Sequence, residues 1–195
     1  DLVSAGGALS VLLARPGGGW MAPLDLPLEP IRHALALDDL NRDGAFDAAV
    51  LPEGGSEVLV FLGRGDGSFL PPTRIALGAR GFDLVDGDFD RDGLIDLAVA
   101  NGTRNSISVM RGKGDGSFQP PAFFATDSDT IRLVAADFDG DRDFDLAASN
   151  RGSNDVSLLL GDGKGGFAKA VNLALASAPG AIAVGDASGD GRADL

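Results

Sequence analysis

The chain contains no cysteine and no tyrosine, and only one tryptophan and one histidine in 195 residues. Without cysteine, disulfides, zinc–thiolate centres and thiol nucleophiles are excluded. A single histidine, His33, with no Gly-x-Ser-x-Gly turn, leaves the usual nucleophile–base pairs little to assemble from. No catalytic residue is expected, and the chain reads as a non-enzyme. The shortage of Trp and Tyr also leaves few rings for stacking on a sugar. No uninterrupted run of about 18 apolar residues is present, so no membrane-spanning helix is expected. Positive charge is scarce too: 16 Lys and Arg stand against 29 Asp and Glu, a net charge of −13. That balance argues against a nucleic-acid partner, which clustered basic residues would grip.

Glycine is what the chain has in plenty. Its 29 residues are about twice the usual share of roughly 7% and point to many tight turns between short elements. Four acidic segments stand out: residues 39–47 (DLNRDGAFD), 88–96 (DFDRDGLID), 137–145 (DFDGDRDFD) and 186–194 (DASGDGRAD), each starting 49 residues after the last. A second landmark keeps the same step. Phe69, Phe118 and Phe167 each follow a glycine-rich turn, and counting back 49 from Phe69 reaches Trp20, preceded by Gly17, Gly18 and Gly19. Two landmarks in register mark an internal repeat.

Between the landmarks the chain runs in short apolar or alternating stretches, such as 131–136, 145–149, 156–160 and 167–173, bounded by Gly, Asn, Asp or Pro. Such runs are strands, and none is long enough for a capped amphipathic helix. Each unit holds about four antiparallel strands, A to D, which is the signature of a propeller blade. The expected fold is therefore all-β, a β-propeller of four blades of about 49 residues, with the acidic loop between strands A and B. The units run over residues 1–37, 38–86, 87–135 and 136–184, followed by a partial acidic loop at 185–195.

Because successive strands reverse direction, the acidic A–B loops share one face with the C–D turns. The B–C loops (101–106, 150–155) share the opposite face with the variable D–A links (125–130), and partner recognition is expected there. Asp1–Leu2 looks like the end of an acidic loop, as in Asp96–Leu97, and the chain stops at Asp194–Leu195, the same point of the repeat. The expectation is an excerpt of a longer array, or a ring closed by neighbouring chains.

Each acidic loop follows Asp-x-Asp/Asn/Ser-x-Asp-x-x-x-Asp. Calcium takes six to eight hard oxygen ligands at about 2.3–2.6 Å, a backbone carbonyl among them. Alternate residues of a tight loop converge, so positions 1, 3, 5 and 9 would supply side chains and position 7 its carbonyl, while glycine at position 6 permits the turn. The expected ligands of the first loop are Asp39, Asn41, Asp43, Ala45 and Asp47, and of the second Asp88, Asp90, Asp92, Leu94 and Asp96. Those of the third are Asp137, Asp139, Asp141, Asp143 and Asp145, and of the fourth Asp186, Ser188, Asp190, Arg192 and Asp194. Gly44, Gly93 and Gly191 hold position 6, but Arg142 stands there in the third loop and is expected to strain it. Ser188 is a neutral ligand that would loosen the fourth. Side-chain ligand positions take 14 of the 29 acidic residues, a crowding that raises carboxylate pKa values when no cation is bound. An EF-hand is excluded, since its position 12 needs Glu and here holds Val50, Val99 and Ala148.

Residues 85–101 (VDGDFDRDGLIDLAVAN), followed by 112–118 (GKGDGSF), resemble the FG-GAP/VCBS repeats, the calcium-loop blades also found in integrin α-subunit propellers. The resemblance covers essentially the whole chain. It implies a propeller with up to four structural calcium ions on one face and a role in adhesion or recognition. The partner would be a protein or a neighbouring propeller chain, with a glycan as a further candidate. Sites of millimolar affinity fill outside cells and stay mostly empty in a cytosol, so a secreted or cell-surface location is expected. Two alternatives remain: a lectin-like glycan-binding module, and the non-catalytic propeller of a larger secreted enzyme.

Three smaller motifs have bland explanations. Arg64-Gly65-Asp66 is an RGD tripeptide, but Lys113-Gly114-Asp115 occupies the same place in the next repeat, so turn chemistry accounts for both. Gly63, Gly65 and Gly67 join two strands and open no helix, which removes a phosphate-loop reading. Asn101-Gly102-Thr103 is a glycosylation sequon placed on a loop.

Overall fold

The computed structural model describes residues 2–5, 8–12, 24–27 and 33–195. In these residues fifteen strands form four antiparallel sheets. The first sheet has three strands, β1 (Leu2–Ala5), β2 (Ala8–Leu12) and β3 (Leu24–Pro27). The second runs β4 (His33–Asp38), β5 (Asp47–Pro52), β6 (Glu57–Phe61) and β7 (Thr73–Ala76). The third comprises β8 (Asp83–Gly87), β9 (Asp96–Asn101), β10 (Ser106–Met110) and β11 (Ala122–Ala125). The fourth comprises β12 (Thr130–Ala136), β13 (Asp145–Asn150), β14 (Asp155–Leu159) and β15 (Val171–Ala174). Each is an up-and-down meander. One 3-10 turn, Gly102–Arg104, follows β9, and no described helix is long and apolar enough to cross a membrane.

The sheets stack face to face, and strand alternation decides what each residue meets. In β9, Leu97 and Val99 pack toward the preceding sheet, against Leu51, Val58 and Val60. Ala98 and Ala100 point the other way, into a cluster with Leu133, Leu146 and Leu159 of the following sheet. Both faces are covered, so β9, β10 and β13 are buried along their whole length, whereas β15 is exposed throughout. The first strands lie side by side: β8 packs against β4 on one flank and β12 on the other. This is a propeller-like arrangement.

Turns lock one sheet to the next. The Gly116 N–H of one C–D turn donates to the Leu40 carbonyl at 3.1 Å, and the Gly165 N–H of the following turn donates to the Phe89 carbonyl at 3.0 Å. Phe167 then seats its ring edge-on to Phe89 and Phe124, with centroids 5.9 and 5.1 Å apart. The aromatic landmark of the repeat is therefore a wedge between blades.

Two expectations need adjusting. Among the described residues the first sheet has three strands, not the four of a full blade. The four-stranded sheets span 33–76, 83–125 and 130–174, so each opens one strand before its acidic loop. Units counted from loop to loop are out of phase with sheets counted from strand to strand. Asp1, Gly17, Gly18, Gly19 and Trp20 lie outside the described residues.

Candidate metal loops

The first three acidic loops each join the first two strands of a four-stranded sheet, and the closing Asp is the first residue of the second strand. That residue is buried, with Asp47 and Asp145 at 0% exposure and Asp96 at 1%. Each closing carboxylate ties two segments together. Asp96 accepts from Phe89 N–H at 2.9 Å with Oδ2 and from Gly112 N–H at 2.8 Å with Oδ1. Asp47 takes Leu40 and Gly63 in the same way, and Asp145 takes Phe138 and Gly161. The glycine on the far side is required by crowding. A Cβ at Gly63, Gly112 or Gly161 would lie 2.2–2.3 Å from the carbonyl oxygen of Phe46, Ile95 or Phe144.

The opening Asp organises the loop from within. Asp39 accepts from the N–H groups of Asp43 and Gly44, and Asp88 from those of Asp92 and Gly93. Asp137 accepts from Gly140 and Arg142, and Asp186 from Gly189, Asp190 and Gly191. Position 5 lends one oxygen to its own loop. One oxygen of Asp43, Asp92, Asp141 and Asp190 accepts the N–H of Ala45, Leu94, Asp143 and Arg192 in turn, at 2.8–2.9 Å.

Two loops bring three carboxylates to one point. Oxygens of Asp88, Asp90 and Asp96 lie within 4.8 Å of one another, and so do those of Asp137, Asp139 and Asp145. Positions 1, 3 and 9 converge, while Asp92 and Asp141 stand outside both groups. In the first loop position 3 is Asn41, whose Nδ2 donates to Asp43 at 2.9 Å. In the fourth loop Asp194 accepts the Ser188 N–H at 2.8 Å, and the whole loop is more exposed than its counterparts.

The charge state of the converging groups bears on their use. Burial pushes Asp96 up to about 6, with the nearby Asp90 and Asp92 charges adding, against the pull of the Gly112 and Phe89 N–H groups. Asp145 is raised for the same reasons, burial first and then Asp139 and Asp141. Such a site gains when a hard cation replaces the proton. The all-oxygen donor set, with a buried carboxylate at its base, fits a divalent ion.

Backbone conformation shows what sequence reading missed. Position 6 is left-handed, as expected, at Gly44 (φ 85°), Gly93 (φ 79°) and Gly191 (φ 83°). Arg142 adopts the same conformation at φ 74°, so the anticipated strain is present. Position 4 is left-handed as well, at Arg42 (φ 61°), Arg91 (φ 59°), Gly140 (φ 87°) and Gly189 (φ 77°). The sequence carried a signal for the buried tie: an Asp and a Gly 16 residues apart recur at 47/63, 96/112 and 145/161.

The remaining motifs separate cleanly. Arg64, Gly65 and Asp66 are exposed, and Asp66 is engaged by the N–H and hydroxyl of Ser68 at 2.9 and 2.6 Å. Those bonds hold its carboxyl below the usual range. Asn101 is 0% exposed at the end of β9, so a glycan cannot be seated on it in the folded blade. The side chain of His33 lies outside the described residues.

Acidic loops between the first two strands of stacked four-stranded sheets define a propeller-like repeat protein. The chain belongs to the FG-GAP-like repeat family, which matches residues 88–148 and 137–195, more than half of it. No curated protein sequence matches the chain. Its fold is similar to that of an Agrocybe aegerita lectin described for specific recognition of non-reducing terminal N-acetylglucosamine. The TM-score is 0.62 at 18% identity, over 87% of this chain and 47% of the lectin. It is also similar to a chain in the crystal structure of BBS1N in complex with ARL6DN, with a TM-score of 0.59 at 15% identity over 80% of this chain and 48% of the other. At these identities the likeness is one of fold. The chain spans about half the length of both proteins.

Proposed function

We propose that this chain is a calcium-stabilised segment of a β-propeller in a secreted or cell-surface protein, and that it serves as a binding or scaffolding module with no catalytic role. One observation carries the reading: the convergence of Asp88, Asp90 and Asp96, and again of Asp137, Asp139 and Asp145, on a buried carboxylate at the base of a loop. Carboxylates so placed repel one another, and a bound divalent ion supplies the charge that lets all three ionise. Positions 1, 3 and 9 would hold it, with the carbonyl of position 7.

Membership of the repeat family supports calcium as the ion, and four filled loops would move the net charge from −13 to about −5. At extracellular calcium, a site with a dissociation constant of about 0.1–1 mM adds roughly 0.4–1.4 kcal/mol to stability. Several such terms matter against a total of about 5–15 kcal/mol. Adhesion or assembly with a protein partner is the favoured role, through the loop face opposite the acidic loops. A glycan ligand is the second reading, favoured by the likeness to the lectin.

Calorimetric titration of chelator-stripped protein with calcium, with thermal melts alongside, tests the metal. Two to four sites and a rising melting temperature are expected. A folded protein that takes up no calcium would end the reading, and the extracellular placement would fall with it. An array of glycans that includes terminal N-acetylglucosamine separates the two partner readings.

A further inference from the structure

The residues at position 4 of the first two acidic loops are arginines, and both reach out of their own blade. Arg42 donates through Nη2 to the carbonyl of Gly93, at position 6 of the second loop. Arg91 donates through Nη2 to the carbonyl of Asp141 at 3.2 Å, at position 5 of the third loop, and its Nε forms an ion pair with the Asp143 carboxylate at position 7. The partners lie 51 and 50 residues downstream. An arm is therefore extended twice from the same position of the repeat, toward positions 5 to 7 of the next loop.

Both arginines hold a left-handed backbone that glycine would adopt with less strain, at φ 61° and 59°. Strain kept at equivalent positions of two repeats asks for a purpose. From this conformation each side chain crosses the gap between blades. Arg42 holds the carbonyl that immediately precedes position 7, the residue whose own carbonyl would ligate the metal, while Arg91 holds the carbonyl of position 5 and the side chain of position 7 itself. Either hold limits the orientations that position 7 can take.

We propose that Arg42 and Arg91 are positioning residues, each bracing the metal loop of the following blade and not its own. The inference rests on the calcium reading for its metal-binding consequence, but the brace stands in the protein without metal. The grip is heavier where the need is greater. The third loop carries Arg142 in place of glycine at position 6, and it receives both the hydrogen bond and the ion pair from Arg91. The Asp143 oxygen in that pair is buried and has no hydrogen-bond partner, so the guanidinium is what compensates its burial. The second loop has Gly93 at position 6 and receives a single hydrogen bond. Position 4 of the third loop is Gly140, which has no arm to extend.

The test is Arg91→Lys in the full chain, because lysine keeps the charge but loses the planar two-point grip. In chelator, amide hydrogen exchange is expected to quicken about tenfold at the third-loop amides of Arg142 and Asp143, with the second-loop amides of Asp92 and Gly93 unchanged. Faster exchange in the second loop alone, or in neither, would overturn the brace. Calcium titration then reads the consequence. Arg91→Lys should weaken one site by about three- to tenfold, and this loss should vanish when Asp137→Asn and Asp139→Asn have already disabled the third loop. A loss that persists in that background but vanishes with Asp88→Asn and Asp90→Asn would assign Arg91 to its own loop and overturn the inference. If the wild type binds no calcium, the calcium reading fails, and the exchange result alone decides whether the arms brace.

Discussion

The loops at 88–96 and 137–145 keep their glycine in different places. The first has Arg91 at position 4 and Gly93 at position 6, and the second has Gly140 and Arg142. All four residues are left-handed, at φ 59°, 79°, 87° and 74°. Swapping the glycine has not changed the path of the loop. What the two loops share explains this: an opening Asp that gathers N–H groups from within, and a closing Asp that ties the loop to a glycine 16 residues on. The path is set by the opening and closing carboxylates, and left-handed positions are filled by glycine where one is at hand and by arginine at a cost where it is not.

Five substitutions probe that comparison. The largest effect should come from what is common to both loops. Asp96→Ala strands the Phe89 and Gly112 N–H groups, and Asp145→Ala strands those of Phe138 and Gly161. Each should cost about 3 kcal/mol in chelator, since two buried donors lose a carboxylate acceptor. Chemical denaturation reads both, and costs differing by more than about 1 kcal/mol would break the claim that the tie is equivalent in the two loops.

A smaller and opposite pair of effects follows from the difference. Arg142→Gly should stabilise the protein by about 1 kcal/mol, and Gly93→Arg should destabilise it by about the same amount. Neither is expected to alter the number of calcium ions bound. Stability unchanged by Arg142→Gly would mean that the Arg91 brace already absorbs the strain.

The smallest effect sharpens the seam between the same two blades. Asp83 of β8 accepts the Leu133 N–H of β12 at 3.0 Å. Burial lifts its carboxyl above the ordinary 3.8, outweighing the pull of the Leu133 and Leu84 N–H groups and of the Arg132 charge. The folded state then holds this proton more tightly than the unfolded chain does. Its contribution is most favourable below 3.8 and is lost as pH rises through the folded-state value. Asp83→Asn keeps an acceptor without the charge, so its stability relative to wild type should grow between about pH 3.5 and about pH 7. A difference that stays flat across this range would place the Asp83 carboxyl in an environment no less polar than water.

Much of the blade was legible beforehand because it is written in local chemistry. The short apolar runs at 131–136 and 145–149 and the turn before Phe118 each need only neighbouring residues to be read, and the period of 49 needs only the comparison of such stretches. The spacing of the acidic residues was legible for the same reason, and the carboxylates at positions 1, 3 and 9 lie together in two loops. The sequon at Asn101 was misleading because its exposure depends on both covering sheets. Its side chain ends a strand buried on both faces.

The sequence by itself determined the repeat, the strands and the placing of acids in turns, since period, alternation and turn residues act over a few positions. Only the tertiary structure decided which oxygens meet. Asp90 joins Asp88 and Asp96 while Asp92 stands outside their group, Asp96 is held between two segments, and Arg91 finds its partners in another blade, 50 residues away. Those outcomes depend on how sheets stack, and stacking depends on side chains far apart in the chain filling the same space.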